Sequence, residues 1–253
     1  MTTRPLLTFG FSTTADRVKN LKGPSFNEDH EILALVQNPK ELSYVIEIPK
    51  AKLVQLSSIG VAKSRNAAIK HASGEFLIFG DDDIVFKEEG ISEAIRYFQS
   101  HPQCSIILAQ AVDETGSLRK RYTSKITPLK LTNSALAATY EMLIRVDAIK
   151  NARLSFDENF GAGVENYLGD EYIFIADALR AGLKGIHLPV VVAQHPTESS
   201  GSKWGSDRDL SARAKVFSRV FGPLAPIMRL GFLLKTDNKK PSLIKSLRFI
   251  FNY

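Results

Sequence analysis

Apolar residues recur along the chain in short continuous runs that alternate with stretches of helical spacing. Pro5–Phe11 and Glu31–Val36 read as strands, the first followed by a short helix around Ala15–Leu21, and Leu42–Ile48 and Lys52–Leu56 are further short apolar runs. From Val61 to Ala72 the apolar positions Val61, Ala68, Ile69 and Ala72 predict an amphipathic helix, which Ser73-Gly74 ends. Phe76–Phe79 (FLIF) has the length and composition of a buried parallel strand. It runs into Gly80-Asp81-Asp82-Asp83 and then apolar Ile84-Val85-Phe86. Beyond it, Ile91, Ala94, Ile95 and Phe98 mark a helix, Ser105–Val112 a strand, and Asp113–Ser117 a turn into Leu118–Tyr122 as the second arm of a hairpin. Ala137–Val146 reads as a strand. A helix opens at Gly169-Asp170-Glu171, carries the stripe Tyr172, Ile175, Ala176 and Leu179, and stops at Gly182. Gly185–Ala193 is a last strand, and Asp209–Phe221 and Ser242–Tyr253 are amphipathic helices. This is the pattern of an α/β fold with helices flanking a sheet.

Composition narrows the class. A chain of 253 residues buries one sizeable core, and 44% hydrophobic with 24% charged residues is ordinary for a soluble globular protein. The N-terminus lacks the basic and apolar regions of a signal peptide, and no apolar run approaches the length of a transmembrane helix. One cysteine, Cys104, excludes an intrachain disulfide and fits a reducing compartment. The expected location is therefore cytoplasmic. Charge is uneven: residues 203–253 hold 11 Lys+Arg and 3 Asp+Glu, or +8, so the remaining residues of the +6 chain sum to −2. Two domains are expected, a body at 1–200 and a basic extension at 201–253, the latter suited to an anionic membrane face.

The candidate chemistry begins at Asp81-Asp82-Asp83. Three adjacent carboxylates repel one another unless a cation sits among them. They also lie behind a buried strand, at the end of the sheet where ligands bind. Oxygen ligands of this kind suit Mg²⁺ or Mn²⁺; a polar turn that caps the next element is the plain alternative. Asp170 and Glu171 form a second acidic pair, which the helix macrodipole alone would account for. Phe160-Gly161-Ala162-Gly163 before them is a loop whose glycines let backbone approach a ligand. Arg119-Lys120-Arg121 reads as a solvated edge carrying charge against aggregation. A Ser/Gly-rich loop, TESSGSKWGSD from Thr197, is long enough for a lid.

The ordered set Ser64-Arg65-Asn66, Ala72, Gly74-Glu75 and Asp81-Asp82-Asp83 resembles family 2-type glycosyltransferases of the GT-A fold, of the bacterial polysaccharide type. The segment FGAG…GDEYIFIADALRAGLK resembles the same family's region around its catalytic base. The resemblance implies transfer of a sugar from a nucleotide-sugar, expected to be a UDP-sugar, to a saccharide or lipid-linked saccharide. It implies Glu171 or Asp170 as base, with Glu171 ahead on position. It assigns Asp83, His195 and Asp81 to a Mn²⁺ or Mg²⁺ ion. Phe9, Ser12, Gln37, Lys63, Arg65, Asp81 and Asp82 would contact the nucleotide-sugar. The usual acidic residue after the second strand is absent, and Gln37 or Asn38 stands near its place. Arg65 equally fits a supporting pair with the acidic cluster. Rival readings are a sugar nucleotidyltransferase, for which TFGFSTTADR is a poor Gly-rich loop, and a non-catalytic module of the same fold. Nucleic-acid binding by the tail is weaker still, since the tail lacks polar-aromatic clusters.

Overall fold

A computed structural model describes residues 4–196, 204–236 and 241–251. Its sheet is mixed and nine-stranded. Strands β1 (Leu7–Thr14), β2 (His30–Gln37), β3 (Lys52–Leu56) and β4 (Phe76–Asp81) form a parallel half in the order β3-β2-β1-β4. The order reverses direction at β1, which creates a switch point between β1 and β4. The sheet continues through β8 (Met142–Arg145), β6 (Cys104–Val112) and β9 (Lys184–Gln194), with β8 antiparallel to both its neighbours. Two short strands, β5 (Val85–Phe86) and β7 (Thr127–Pro128), pair antiparallel with β9.

Both faces of this sheet are covered, which is why its strands read as continuous apolar runs. Phe9, Phe11, Phe76 and Ile78 face one side and pack on α2 (Glu88–Ser100) through Ile91, Ala94, Ile95 and Phe98. Leu33, Leu35, Leu77 and Phe79 face the other, against α1 (Val61–His71), α3 (Val146–Asn151) and α4 (Asp170–Arg180). Gly90 lets α2 lie directly on β9: a Cβ there would stand 2.0 Å from the Val191 carbonyl oxygen.

Three further helices, α5 (Asp207–Phe221), α6 (Ala225–Lys235) and α7 (Leu243–Phe251), follow the sheet. Ser206 caps α5, accepting from the Asp209 N–H at 3.1 Å. Val216 and Val220 of α5 pack on Phe160, Tyr172 and Ile173 beside α4. Arg219 ties the same helix to Asp157 and Asp177. α6 doubles back on α5, so that Leu233 meets Leu210 and Ala214 together with Phe249 and Ile250 of α7. Arg229, buried among the three helices, donates to the carbonyls of Ala214 (2.7 Å) and Ile250 (3.0 Å).

Three sequence expectations are corrected. Ala15–Leu21 contains only a 3₁₀ turn, Val18–Asn20. Leu118–Tyr122 is no strand; a single bridge joins Val112 to Leu118. Asp113 instead folds the turn onto itself, its carboxylate accepting from the N–H groups of Thr115 and Ser117. Lastly, the helical run Asp207–Lys235 is, over 29 residues, long and apolar enough by composition to cross a bilayer. In the fold it is bent at Gly222-Pro223 and packed on itself and on α4.

Candidate active site

The parallel half brings the ends of β1, β2 and β4 side by side, with Ser12 in register with Asp81 and Thr14 with Gln37. The switch point between β1 and β4 thus opens directly onto the aspartate triplet. α1, packed under this edge, carries Arg65 into the interior, 6% exposed. Arg65 pairs with Asp170 and, at 3.2 Å, with Glu171, both in the first turn of α4. Burial works against its charge, and Asp170, Glu171 and Asp81 together more than offset that. One guanidinium therefore lies within electrostatic reach of acids that are about ninety residues apart in sequence.

The two carboxylates of the pair are not equivalent. Asp170 keeps 3% of its side-chain surface and Glu171 18%. Burial pushes Asp170 up to about 7, with Glu171 adding to the shift and Arg65 opposing it. Glu171 is buried enough to be pushed up too, but Arg65 and the Thr139 hydroxyl, donating at 2.7 Å, hold it below the usual range. Gly161 (φ +100°) passes against Asp170, and a Cβ there would stand 2.8 Å from its Oδ1. The close approach expected of this loop is thus made to the protein's own carboxylate. Both carboxylates line the cavity described below, Asp170 being the more enclosed of the two.

At the β4 end, Asp83 is 39% exposed and lies 3.8 Å from His195 Nε2. His195 follows β9, stacks on Tyr140 at 4.8 Å, and directs Nδ1 to the Pro196 carbonyl at 2.6 Å. A donor on Nδ1 leaves Nε2 with a lone pair on the side of Asp83, the tautomer a metal ligand needs. Asp81 is pushed up by burial and by Asp83, Glu171 and Asp82, an excess of negative charge that Arg65 only partly offsets. Among the described residues no three His, Cys, Asp or Glu side chains are close enough to hold an ion by themselves. Of the expected ligands Asp81, Asp83 and His195, the last two stand 3.8 Å apart. What remains is an open pair, Asp83 and His195, which fits an ion that keeps waters and substrate phosphates as its other ligands.

Several expected donor contacts are committed elsewhere. Phe9 is fully buried, its ring against Phe26, His30 and Phe86, so it is core rather than nucleotide floor. Gln37 Oε1 accepts from the Gly60 N–H at 2.7 Å and fixes the start of α1. Ser12 accepts from Ser64 at 2.9 Å. Asp82 accepts from Thr13 at 2.7 Å and pairs with Arg17, which also lies 3.9 Å from Asp83. Arg65 holds the acid pair and is not free for phosphates. Lys63, half-buried in the first turn of α1, makes no ion pair among the described residues. Arg119 and Lys120 also turn inward, Arg119 to the carbonyls of His195 and Pro196, and Lys120 to buried Glu141 at 2.7 Å. They are structural supports, not a solvated edge.

Beside Glu171 a cavity of about 810 Å³ opens between the 162–171 loop and the C-terminal helices, with Tyr167, Arg208, Arg213, Phe217 and Phe232 in its wall. Arg213 lies over the Trp204 ring and Arg208 over the Tyr167 ring. Residues 197–203 of the expected lid lie outside the described residues. Thr139 and Tyr140, which touch Glu171 and His195, escape the sequence reading. Their only signal is the polar step Thr-Tyr-Glu inside an apolar run, which the structure resolves as a 3₁₀ turn before β8.

The family model described as Glycosyl transferase family 2 matches residues 34–153, a span that includes the aspartate triplet and ends before Asp170. TarS of Staphylococcus aureus strain MW2, a poly(ribitol-phosphate) beta-N-acetylglucosaminyltransferase, is 26% identical over 112 residues. That match covers 43% of this chain and 20% of TarS, so the chain spans about a fifth of the length of the curated relatives it matches. Crystal structures of S. aureus TarS 1–349, with UDP and with UDP-GlcNAc, superpose with TM-scores of 0.57 and 0.56 at 15% and 13% identity. They cover 97% of this chain and 69% and 70% of theirs. At that identity the likeness shows the fold, a GT-A mixed sheet flanked by helices with C-terminal helices beyond it.

Proposed function

We propose that the chain is a glycosyl transferase of family 2, whose model matches residues 34–153, and that it moves a sugar from a UDP-sugar to a hydroxyl of a saccharide or lipid-linked acceptor, with inversion. The observation that carries this reading is the convergence of Asp81, Asp170 and Glu171 around Arg65, next to a cavity large enough for a sugar acceptor. The acceptor hydroxyl gives its proton to the Glu171 carboxylate. Its oxygen bonds to the anomeric carbon from the face opposite the diphosphate, and the bond to the diphosphate breaks with its electron pair. Glu171 is suited to this because it is ionised at neutral pH and reaches the cavity. Asp170 and Arg65 hold it in place, and Thr139 orients its oxygen. Asp83 and His195 would hold Mn²⁺ or Mg²⁺, which when bound supplies positive charge for the departing diphosphate. Lys63 adds a cation at the start of α1.

The TarS structures with UDP and UDP-GlcNAc support a uridine nucleotide as the donor's leaving half. Glu171→Gln tests the base. Turnover of the UDP-sugar is expected to fall about a hundred- to ten-thousandfold while UDP binding stays within about twofold. Retained turnover in that variant would remove Glu171 from the reaction.

A further inference from the structure

The last two helices turn apolar side chains outward. On α6, Ile227 (66% exposed), Leu230 and Leu234 (66%) recur at i, i+3 and i+7, while Ala225, Arg229 and Leu233 are buried on the other side. On α7, Leu243 (76%), Leu247 and Phe251 (67%) recur at i, i+4 and i+8, with Ile244 beside them, while Phe249 and Ile250 are buried. Each helix therefore has its inward side occupied and a second apolar side in water. Exposed apolar surface of this extent marks an interaction site.

The charges around it identify the partner. Neither helix contains a carboxylate, and both carry outward cations, Lys235 on α6 and Arg248 and Lys245 on α7, the last paired with Asp207 of α5 at 3.0 Å. Residues 222–253 hold six Lys+Arg against one Asp. A second copy of the chain would bring two basic surfaces together, which repel. An anionic bilayer instead takes Leu, Ile and Phe into the boundary between headgroups and acyl chains and attracts the lysines and arginine flanking them. We infer that α6 and α7 dock the protein in the plane of an anionic membrane surface. α6 cannot cross that membrane in this fold, because its buried side is fastened to α5 and α7 by Leu233 and Arg229. The same helix lines the cavity beside Glu171 through Phe232, so docking would set that cavity close to the lipid surface. The inference does not depend on the sugar-transfer reading, which binding to lipid neither supports nor removes.

Sedimentation of the full chain with vesicles tests it. Co-sedimentation is expected with vesicles of equal phosphatidylglycerol and phosphatidylcholine, and not with phosphatidylcholine alone. Ile227→Gln with Leu234→Gln, and separately Leu243→Gln with Leu247→Gln, should each weaken binding by about tenfold or more. Arg248→Gln should weaken it by about fivefold. These positions are exposed, so far-UV circular dichroism and melting temperature should stay at wild-type values. Binding that is absent with the anionic vesicles, equal on both lipids, or unchanged in both double variants overturns the inference. So does a dimer in light scattering that the α6 variant dissolves while lipid binding persists.

Discussion

Asp170 and Glu171 are adjacent carboxylates whose surroundings give them different states, and solution behaviour should separate them. Burial pushes Asp170 from 3.8 up to about 7, so between those values the folded chain holds a proton that the unfolded chain releases. Stability from this residue therefore falls as pH rises through that window and levels off above it. Glu171, held below 4.5, acts in the opposite sense and only at lower pH: its contribution is lost as pH falls through its folded value. From about pH 5 to about pH 7 only Asp170 of the two changes state. Wild type should accordingly lose stability relative to Asp170→Asn when urea midpoints are compared at those two pH values; a difference that does not vary with pH contradicts the assignment. At this scale the sequence was informative where the resemblance supplied a pattern, as at Asp81–Asp83 and Asp170–Glu171. It was silent on Thr139 and Arg17, short-range partners of those acids that only folding brings to them. It misplaced Phe9, because the face a strand residue takes depends on what packs behind it.

The 160–163 loop links residue to element. Gly161 has φ +100°, and its Cα lies where a Cβ would press on Asp170 Oδ1 and Val61 Cγ1, each at 2.8 Å. The Ala162 carbonyl accepts from the Val61 N–H at 2.9 Å, so the loop fastens α1 to the head of α4. Gly161→Ala should destabilise the protein by ~1–3 kcal/mol and lower turnover as well, because it displaces the acid pair on Arg65. A melting temperature and rate both equal to wild type would show that the loop has room to move aside. Buried strands and amphipathic helices were legible to within a few residues, as with α1 and β4, since periodicity is a local property. The hairpin after β6 was not. Lys120 and Tyr122 are drawn to buried Glu141, and that tertiary pull overrides the strand pattern.

At the scale of the whole molecule, the sheet contributes the triplet at its β1–β4 switch point, and the layer of helices behind it contributes Asp170 and Glu171, the latter the proposed base. The C-terminal helices wall the cavity beside Glu171. The charge asymmetry of the chain suggested a body at 1–200 and a basic extension at 201–253. It did not reveal that α5 packs on α4, because that contact is made by Val216 and Val220, which composition alone cannot orient. The central claim is that acids distant in sequence form one site for a nucleotide-sugar and its divalent ion. Thermal unfolding in Mn²⁺ against a panel of nucleotide-sugars and ATP tests it most directly. The expected result is a rise in melting temperature with a UDP-sugar, kept in Glu171→Gln and lost in Asp83→Ala. Stabilisation by ATP alone, or by a UDP-sugar equally in wild type and Asp83→Ala, would contradict it.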